Sequence, residues 1–376
     1  MDKKRKDGHM CNGTVLVVGG TGEVGRYVVE YLARSQYVKK LVVAARTEEV
    51  GKMIVKNAAI GAAMHGFYPK VDFFKLDLKD EEQTEKALVE IEPQVILHTA
   101  TLMSSYYYVS KIKPKIKEFG FKTYFAGHTL AKDLFLIYKL MKALKRSGVN
   151  SLVVNNAFPD ISNHVLAKIG LAPAVGSGTI DLTVYGIKKI LADKIGVPMH
   201  NFFVEMIAHH SLRVNSPEDV PYFLRIRFKG EDITEKFNVH ELVAEACKLT
   251  IGTSRVNNSS ITASSATKNV LAILNPTKEL EHAPGANGML GGSPVRFHAK
   301  KVEVAPPEGM SLRDVEKINK EGLKFDGIER INDDGSVIFT NEAVRLQQIL
   351  KISWKRMRIN EIEDMANDLI SAYRRL

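Results

Sequence analysis

From residue 14 onward the chain alternates two hydrophobic rhythms: short unbroken apolar runs, then longer stretches with apolar residues at helical spacing. Val15-Leu16-Val17-Val18 is the first such run, and continuous apolar character of that kind belongs to a strand covered on both faces. Strands are expected over 14–18, 40–45, 71–75, 94–98 and 151–156. Helices over 23–34, 48–63, 80–90 and 128–147 fall between them, with a segment of irregular appearance after 98. Such alternation implies right-handed crossovers and a doubly wound parallel sheet, an α/β domain over residues 12–158.

Beyond residue 158 the texture changes. Residues 201–214 and 221–229 alternate apolar and polar positions, the mark of antiparallel strands with one solvated face. With helices near 239–249 and 265–274 and strands near 294–304, residues 159–310 read as a second, smaller α+β domain. A C-terminal segment, 311–376, carries closing helices at 341–352 and 360–375 that are expected to pack back on the first domain.

Composition narrows the class. The chain has 376 residues, 45% hydrophobic and 26% charged, which fits a globular protein of two domains. No apolar run is long enough for a membrane span, and the start lacks the apolar core of a signal peptide. Residues 1–11 read as a disordered basic leader. Two cysteines, Cys11 and Cys247, exclude a disulfide framework and a multi-cysteine zinc site, so a cytoplasmic setting and no metal are expected. The net charge of +10 concentrates in residues 109–150, where Lys111, Lys113, Lys115 and Lys117 alternate. No nucleic-acid motif accompanies that run, so a solvated face or a field attracting anions is the preferred reading over nucleic-acid binding. Neither a nucleic acid nor a membrane is expected as partner, and a homodimer stays open.

The first turn carries the chemistry. Gly19-Gly20-Thr21-Gly22-Glu23-Val24-Gly25 joins strand to helix and satisfies G-x-G-x-x-G through Gly20, Gly22 and Gly25. Glycines there permit a tight turn and close approach of a pyrophosphate, which the helix N-terminus then attracts. In that strand–loop–helix context a dinucleotide site is expected. At the end of the second strand Arg46 stands where a NAD site usually places an acid; a guanidinium suits the 2′-phosphate of NADP, although a solvated arginine is the bland alternative and NAD stays open. Asp77 and Leu78 follow the third strand, and Thr99, Ala100 and Thr101 follow the fourth, both on the edge where such sheets bind ligands.

Gly19–Gly25, Leu76-Asp-Leu-Lys-Asp80 and Pro93–Ala100 resemble the cofactor half of extended short-chain dehydrogenases. The Ala44-Ala-Arg-Thr47 corner is more similar to saccharopine-dehydrogenase-like oxidoreductases. The resemblance covers roughly residues 13–158 and implies cofactor binding more firmly than it implies a reaction. It also directs attention to tyrosine–lysine pairs four residues apart, of which Tyr185 and Lys189 lie at a suitable distance, but the expected serine partner is replaced by Asn155-Asn156-Ala157.

His209 and His210 are the stronger acid–base candidates, since imidazole titrates near neutrality. On a strand they would face opposite sides, one toward a cleft, with Glu205 placed to orient His209. A structural histidine is the competing reading. Asn156 and Asn163 supply amide donors near the fifth strand, and Arg213, Arg225, Arg227, Arg255 and Arg296 are candidates for capturing an anion. The loop His282–Gly292 reads as a mobile cover or a long connection. The expectation is an oxidoreductase moving a hydride between NADP(H) and a small anionic hydroxy- or amino-acid-like substrate. The alternatives are a non-redox epimerase or cyclase that retains its cofactor, and a dinucleotide-sensing regulator without turnover.

Overall fold

A computed structural model describes residues 13–251 and 257–376. The leader and Arg255 lie outside the described residues. Strands β1 (Thr14–Val18), β2 (Lys40–Ala45), β3 (Lys70–Lys75), β4 (Val95–His98), β5 (Leu152–Asn155) and β6 (Val175–Gly176) form one sheet. Its order is β3-β2-β1-β4-β5-β6, and every pairing is parallel. The fold is therefore Rossmann-like, with its switch point between β1 and β4. All five residues of β1 are buried, as an unbroken apolar run demands of a strand with helices on both faces.

Helices α1 (Glu23–Ala33), α2 (Glu48–Met64) and α3 (Glu81–Ile91) follow the first three strands. Helix α1 buries Gly25, Val28, Val29, Leu32 and Ala33, a stripe at the i, i+3, i+4, i+7 spacing that lays it on the sheet. The irregular stretch after β4 contains a helix, α4 (Ser105–Glu118), before α5 (Leu130–Ser147). The parallel sheet also runs past residue 158: α6 (Pro159–Lys168) leads into β6, a strand of only two residues whose apolar content is too short to register as a pattern.

The second sheet has the order β10-β11-β7-β8-β9, with β12 paired to β11. Its strands are β7 (Phe202–Ala208), β8 (Tyr222–Phe228), β9 (Glu231–Asp232), β10 (Leu280–Pro284), β11 (Gly292–Phe297) and β12 (Val302–Val304). All its pairings are antiparallel. Helices α7 (Ile180–Ile195) and α8 (Val239–Ile251) belong to this half, whereas α9 (Ser259–Leu274) returns to the parallel sheet, where Ala263, Ala266 and Val270 share a core with Val15, Val17 and Val28. One core joins Ile180, Val184 and Ile187 to Phe202, Val204 and Met206.

The C-terminal segment is more than closing helices. Helix α10 (Leu312–Gly322) precedes a small antiparallel sheet of β13 (Ile328–Ile331), β14 (Val337–Phe339) and β15 (Arg356–Met357). Helix α11 (Asn341–Ile349) lies between its last two strands, and α12 (Ile362–Arg375) ends the chain. Met365 and Ala366 share a core with Leu130 and Leu134 of α5, so α12 covers one side of the parallel sheet. Among the described residues no helix is long and apolar enough to cross a membrane.

Candidate active site

The glycine loop is shaped by contact on every side. Gly19 leaves β1 at φ +88°, and a Cβ there would lie 2.7 Å from the Ala100 nitrogen and 2.9 Å from the Thr99 hydroxyl. A Cβ on Gly25 would lie 2.3 Å from the Gly19 carbonyl oxygen, and one on Gly20 would meet Val43 at 2.6 Å. The Thr99 hydroxyl lies within hydrogen-bond reach of the Val18 and Gly19 carbonyls, at 3.1 and 3.2 Å, tying the loop to the end of β4. Helix α1 starts from Gly22 with no side-chain cap, so its first N–H groups offer an uncapped, positively polarised cradle to an anion. Around it Thr21 and Val24 are half-buried and Glu23 is exposed. Arg46 is exposed just past β2, Asp77 is half-buried and Leu78 buried. Asp77 accepts from the Lys79 N–H at 3.1 Å, and the Thr101 hydroxyl donates to Asp133 at 2.9 Å.

The second part of the site forms where β7 ends. The strand stops at Ala208, and residues 210–213 turn into a 3-10 helix capped by His209. Opposite-facing histidines require the strand to continue, and it does not. Instead both Nδ1 atoms meet one carboxylate oxygen of Asp326, at 3.3 Å from His209 and 2.9 Å from His210. Asp326 comes from the turn Leu323–Asp326 that follows α10. Glu205 faces Arg225 at 3.8 Å and does not orient His209.

Burial separates the two imidazoles. His209 is fully buried, and burial pushes its pKa down to about 4 in spite of Asp326, so it is neutral. His210 keeps 16% of its side chain exposed and stacks edge-on against Phe158 at 4.9 Å. Burial opposes its charge too, but the Asp326 carboxylate prevails and raises its pKa above the ordinary histidine value. Asp326 thus favours the charged form of His210, whose Nδ1 it meets near the end of β5.

Asp160, in the first turn of α6, is also fully buried, and neither carboxyl oxygen has a hydrogen-bond partner. Burial pushes its pKa up to about 6, while the charge on His210 pulls it the other way. The Thr179 hydroxyl faces this carboxyl, but the contact does not reach hydrogen-bond geometry and the hydroxyl too has no partner. The Thr179 carbonyl accepts from Arg213 Nη1 at 3.1 Å. Arg213 also donates to the Thr183 and Thr250 hydroxyls at 2.9 and 3.0 Å, and to the Thr250 carbonyl at 3.3 Å. It is only 9% exposed, and among the described residues no carboxylate lies within ion-pair distance of it. Phe158 and Thr179, which flank Asp160 and Arg213, both have positive φ, at +46° and +52°, a strained backbone that non-glycine residues keep mostly near functional sites.

Several expected groups sit elsewhere or are already engaged. Lys189 pairs with Asp193 at 2.5 Å and not with Tyr185. Tyr185 is faced by Lys188 and Lys268, and its hydroxyl reaches Glu281 at 3.4 Å; burial and that carboxylate push its pKa up, the opposite of an activated phenol. The amide of Asn163 is fully buried, donating to the Gly285 carbonyl at 3.0 Å and accepting from Asn155 at 2.9 Å, so it ties α6 to the loop at Gly285 and to β5. Asn156 stays half-buried at the end of β5, its amide donating to Ser177 Oγ at 3.0 Å. The stretch from His282 to Gly292 is packed beneath the sheet edge, with His282, Ala283, Ala286 and Leu290 buried, and is no mobile cover. Arg225, Arg227 and Arg296 bind Glu205, Glu308 and the Lys278 carbonyl. Asp160 and Asp326 are the two groups that sequence reading missed; the signal for the first was its place in the polar segment Asn155–Asn163.

Comparison with known proteins bears on the fold. Residues 15–114, the span from β1 into α4, match the model of the NAD dependent epimerase/dehydratase family. No curated protein matches by sequence. Among solved structures, the malate dehydrogenase of Salinibacter ruber superposes with a TM-score of 0.58 at 15% identity, over 96% of this chain and 99% of that one. The malate dehydrogenase of Picrophilus torridus gives 0.61 at 17% identity, over 83% and 95%. The lactate dehydrogenase of Cryptosporidium parvum, complexed with lactic acid and nicotinamide adenine dinucleotide, gives 0.57 at 14%, over 83% and 97%. At such identities the likeness is one of fold: a Rossmann-like sheet joined to a second half built on an antiparallel sheet.

Proposed function

We propose that this chain is a nicotinamide-dinucleotide-dependent oxidoreductase acting on a small anionic hydroxy or amino acid. One observation carries the reading: a histidine held through Nδ1 by a buried carboxylate, His210 on Asp326 at 2.9 Å, lies against Phe158 on the sheet edge that also bears the glycine cradle. The dinucleotide would be held by Gly19–Gly25, with its nicotinamide toward Thr99–Thr101 and Asn156; bound there, it supplies or takes the hydride. His210 gives a proton to the substrate heteroatom in the reducing direction and takes it back in the other. Asp326 stabilises the imidazolium and fixes its ring, as a buried carboxylate beside Nδ1 does. Arg213, a buried guanidinium with no carboxylate among the described residues within ion-pair distance, suits the substrate's carboxylate.

Arg46 supports NADP(H), because it stands where a NAD site usually places an acid; Glu48 and Glu49 just after it, the NAD in the Cryptosporidium parvum enzyme and the NADH in the Plasmodium falciparum malate dehydrogenase support NAD. The match of residues 15–114 to an epimerase/dehydratase model favours, as second reading, an epimerase that retains its cofactor. Turnover separates the readings. The purified chain should oxidise NADH or NADPH in the presence of a 2-oxo acid, and His210→Asn should lower kcat by about 10²-fold or more with cofactor affinity kept. Unchanged kcat in that variant would overturn the assignment.

A further inference from the structure

Beside the His210–Asp326 pair the proposed site holds two further buried ionisable groups of opposite sign, and among the described residues neither has an ion-pair partner. Arg213 donates only to hydroxyls and carbonyls, and Asp160 has both carboxyl oxygens buried without a partner. They lie on two sides of one residue: the Thr179 carbonyl accepts from Arg213, and the Thr179 hydroxyl faces Asp160. Between them in the chemistry is His210, which both charges influence. An uncompensated buried charge costs several kcal/mol, so a site that retains two of them is complementary to a ligand bearing the opposite pair.

We infer that the substrate is a 2-amino acid, its carboxylate bound by Arg213 and its nitrogen, as ammonium or iminium, by Asp160, and that the reaction is reversible oxidative deamination. The inference rests on the oxidoreductase reading and selects the amino acid over the hydroxy acid. A neutral hydroxyl offers the Asp160 carboxyl oxygens no charge, whereas a cationic nitrogen gives them both a counter-charge and the charge-assisted hydrogen bond they lack.

The step balances as follows. In the reducing direction a 2-oxo acid and a protonated amine lose water to form an iminium, the proton of the ammonium staying on nitrogen. The hydride pair becomes the new Cα–H bond while the C=N π pair moves onto nitrogen. Nitrogen then takes one proton from the His210 imidazolium and ends as the ammonium of the product, against Asp160. In reverse, amino acid, oxidised cofactor and water give oxo acid, ammonium, reduced cofactor and one proton. The amine is free ammonium or the amino group of a second amino acid; both present the same nitrogen to Asp160.

The test follows cofactor oxidation by the full chain with a panel of 2-oxo acids in three arms: sodium chloride, ammonium chloride, and an amino acid as amine. An amine should raise the rate by about tenfold or more over the sodium chloride arm. Asp160→Asn should then raise the KM for the amine, and Arg213→Gln the KM for the oxo acid. Equal rates in all arms, or no turnover in any, overturn the inference. An Asp160→Asn protein with unchanged amine KM overturns it too. Titration of NADH and NADPH into the same preparations keeps the two levels apart: if neither binds, the oxidoreductase reading falls with it, and if one binds, only the substrate assignment is at stake. Because asparagine keeps the shape of aspartate, cofactor affinity in Asp160→Asn also reports that the variant is folded.

Discussion

His210 and His209 share a carboxylate and differ in solvent reach, and that difference decides which of them can do chemistry. His209 is enclosed and held neutral by burial, whereas His210 is open on one side and its charged form is favoured by Asp326. Asp326→Asn removes the charge that raises the His210 pKa, so that pKa must fall. In the reducing direction, where His210 has to be protonated, the alkaline limb of the kcat/KM profile should move to lower pH; an unmoved limb would assign the limb to another group. Asp160 has the opposite role in stability. Its folded pKa of about 6 is raised above 3.8, so its stabilising contribution is complete below 3.8 and is lost as pH rises through 6. Asp160→Asn should therefore raise Tm at pH 8 and leave it nearly unchanged near pH 4. The glycines and His210 were legible in sequence, because their residue types are rare and their spacing carries the meaning. Asp160 and Asp326 were not, since Pro159-Asp160 reads as a helix start and Asp326-Gly327 as a turn. Nothing local says that either is buried.

At the scale of elements, α10 is the piece that brings Asp326 to the histidines. It crosses the end of β7 at Gly322, where a Cβ would lie 2.3 Å from the His209 Cβ. Gly322→Ala should cost about 1–3 kcal/mol, measured by denaturant or thermal unfolding, and should lower turnover with it, because the same shift moves Asp326. Full stability in that variant would mean that the contact is slack. Strands β1, β2 and β4 and helices α1, α3 and α5 were readable because they bury a run or a stripe of apolar residues. Beyond them, β6 and β15 have two residues each and leave no period to read. Helix α4 escaped notice because Lys111, Lys113, Lys115 and Lys117 alternate at a strand-like period, whereas only Tyr108 and Ile112 are buried, four residues apart as on a helix.

At the scale of the whole molecule, the site is assembled from three parts of the chain: Asp160 after β5, His210 and Arg213 after β7, and Asp326 after α10. The C-terminal segment is also fixed through α12, where Tyr373 meets the buried His128 at 2.6 Å. His98, His128 and His209 are each held neutral by burial, with pKa values pushed down to about 4. Each stabilises the fold above the unfolded histidine value near 6.5, and that contribution is lost as pH falls toward 4. Asp160 offsets one of the three, leaving a loss of roughly 3 kcal/mol per pH unit between about pH 6 and 4 from these groups. A flat stability profile over that interval, measured by urea unfolding, would contradict their burial. The central claim, a dinucleotide held by the glycine loop, has a cleaner test in Gly22→Asp. Gly22 has φ −74° and caps α1, and a Cβ there meets only the Gly19 carbonyl at 3.3 Å, so aspartate fits and is a favoured cap. Its carboxylate would occupy the place of the phosphates. In titrations followed by nicotinamide fluorescence, the unmodified chain should bind NADH or NADPH saturably, and Gly22→Asp should lose that binding while keeping or raising Tm; equal affinity in both proteins would contradict the account.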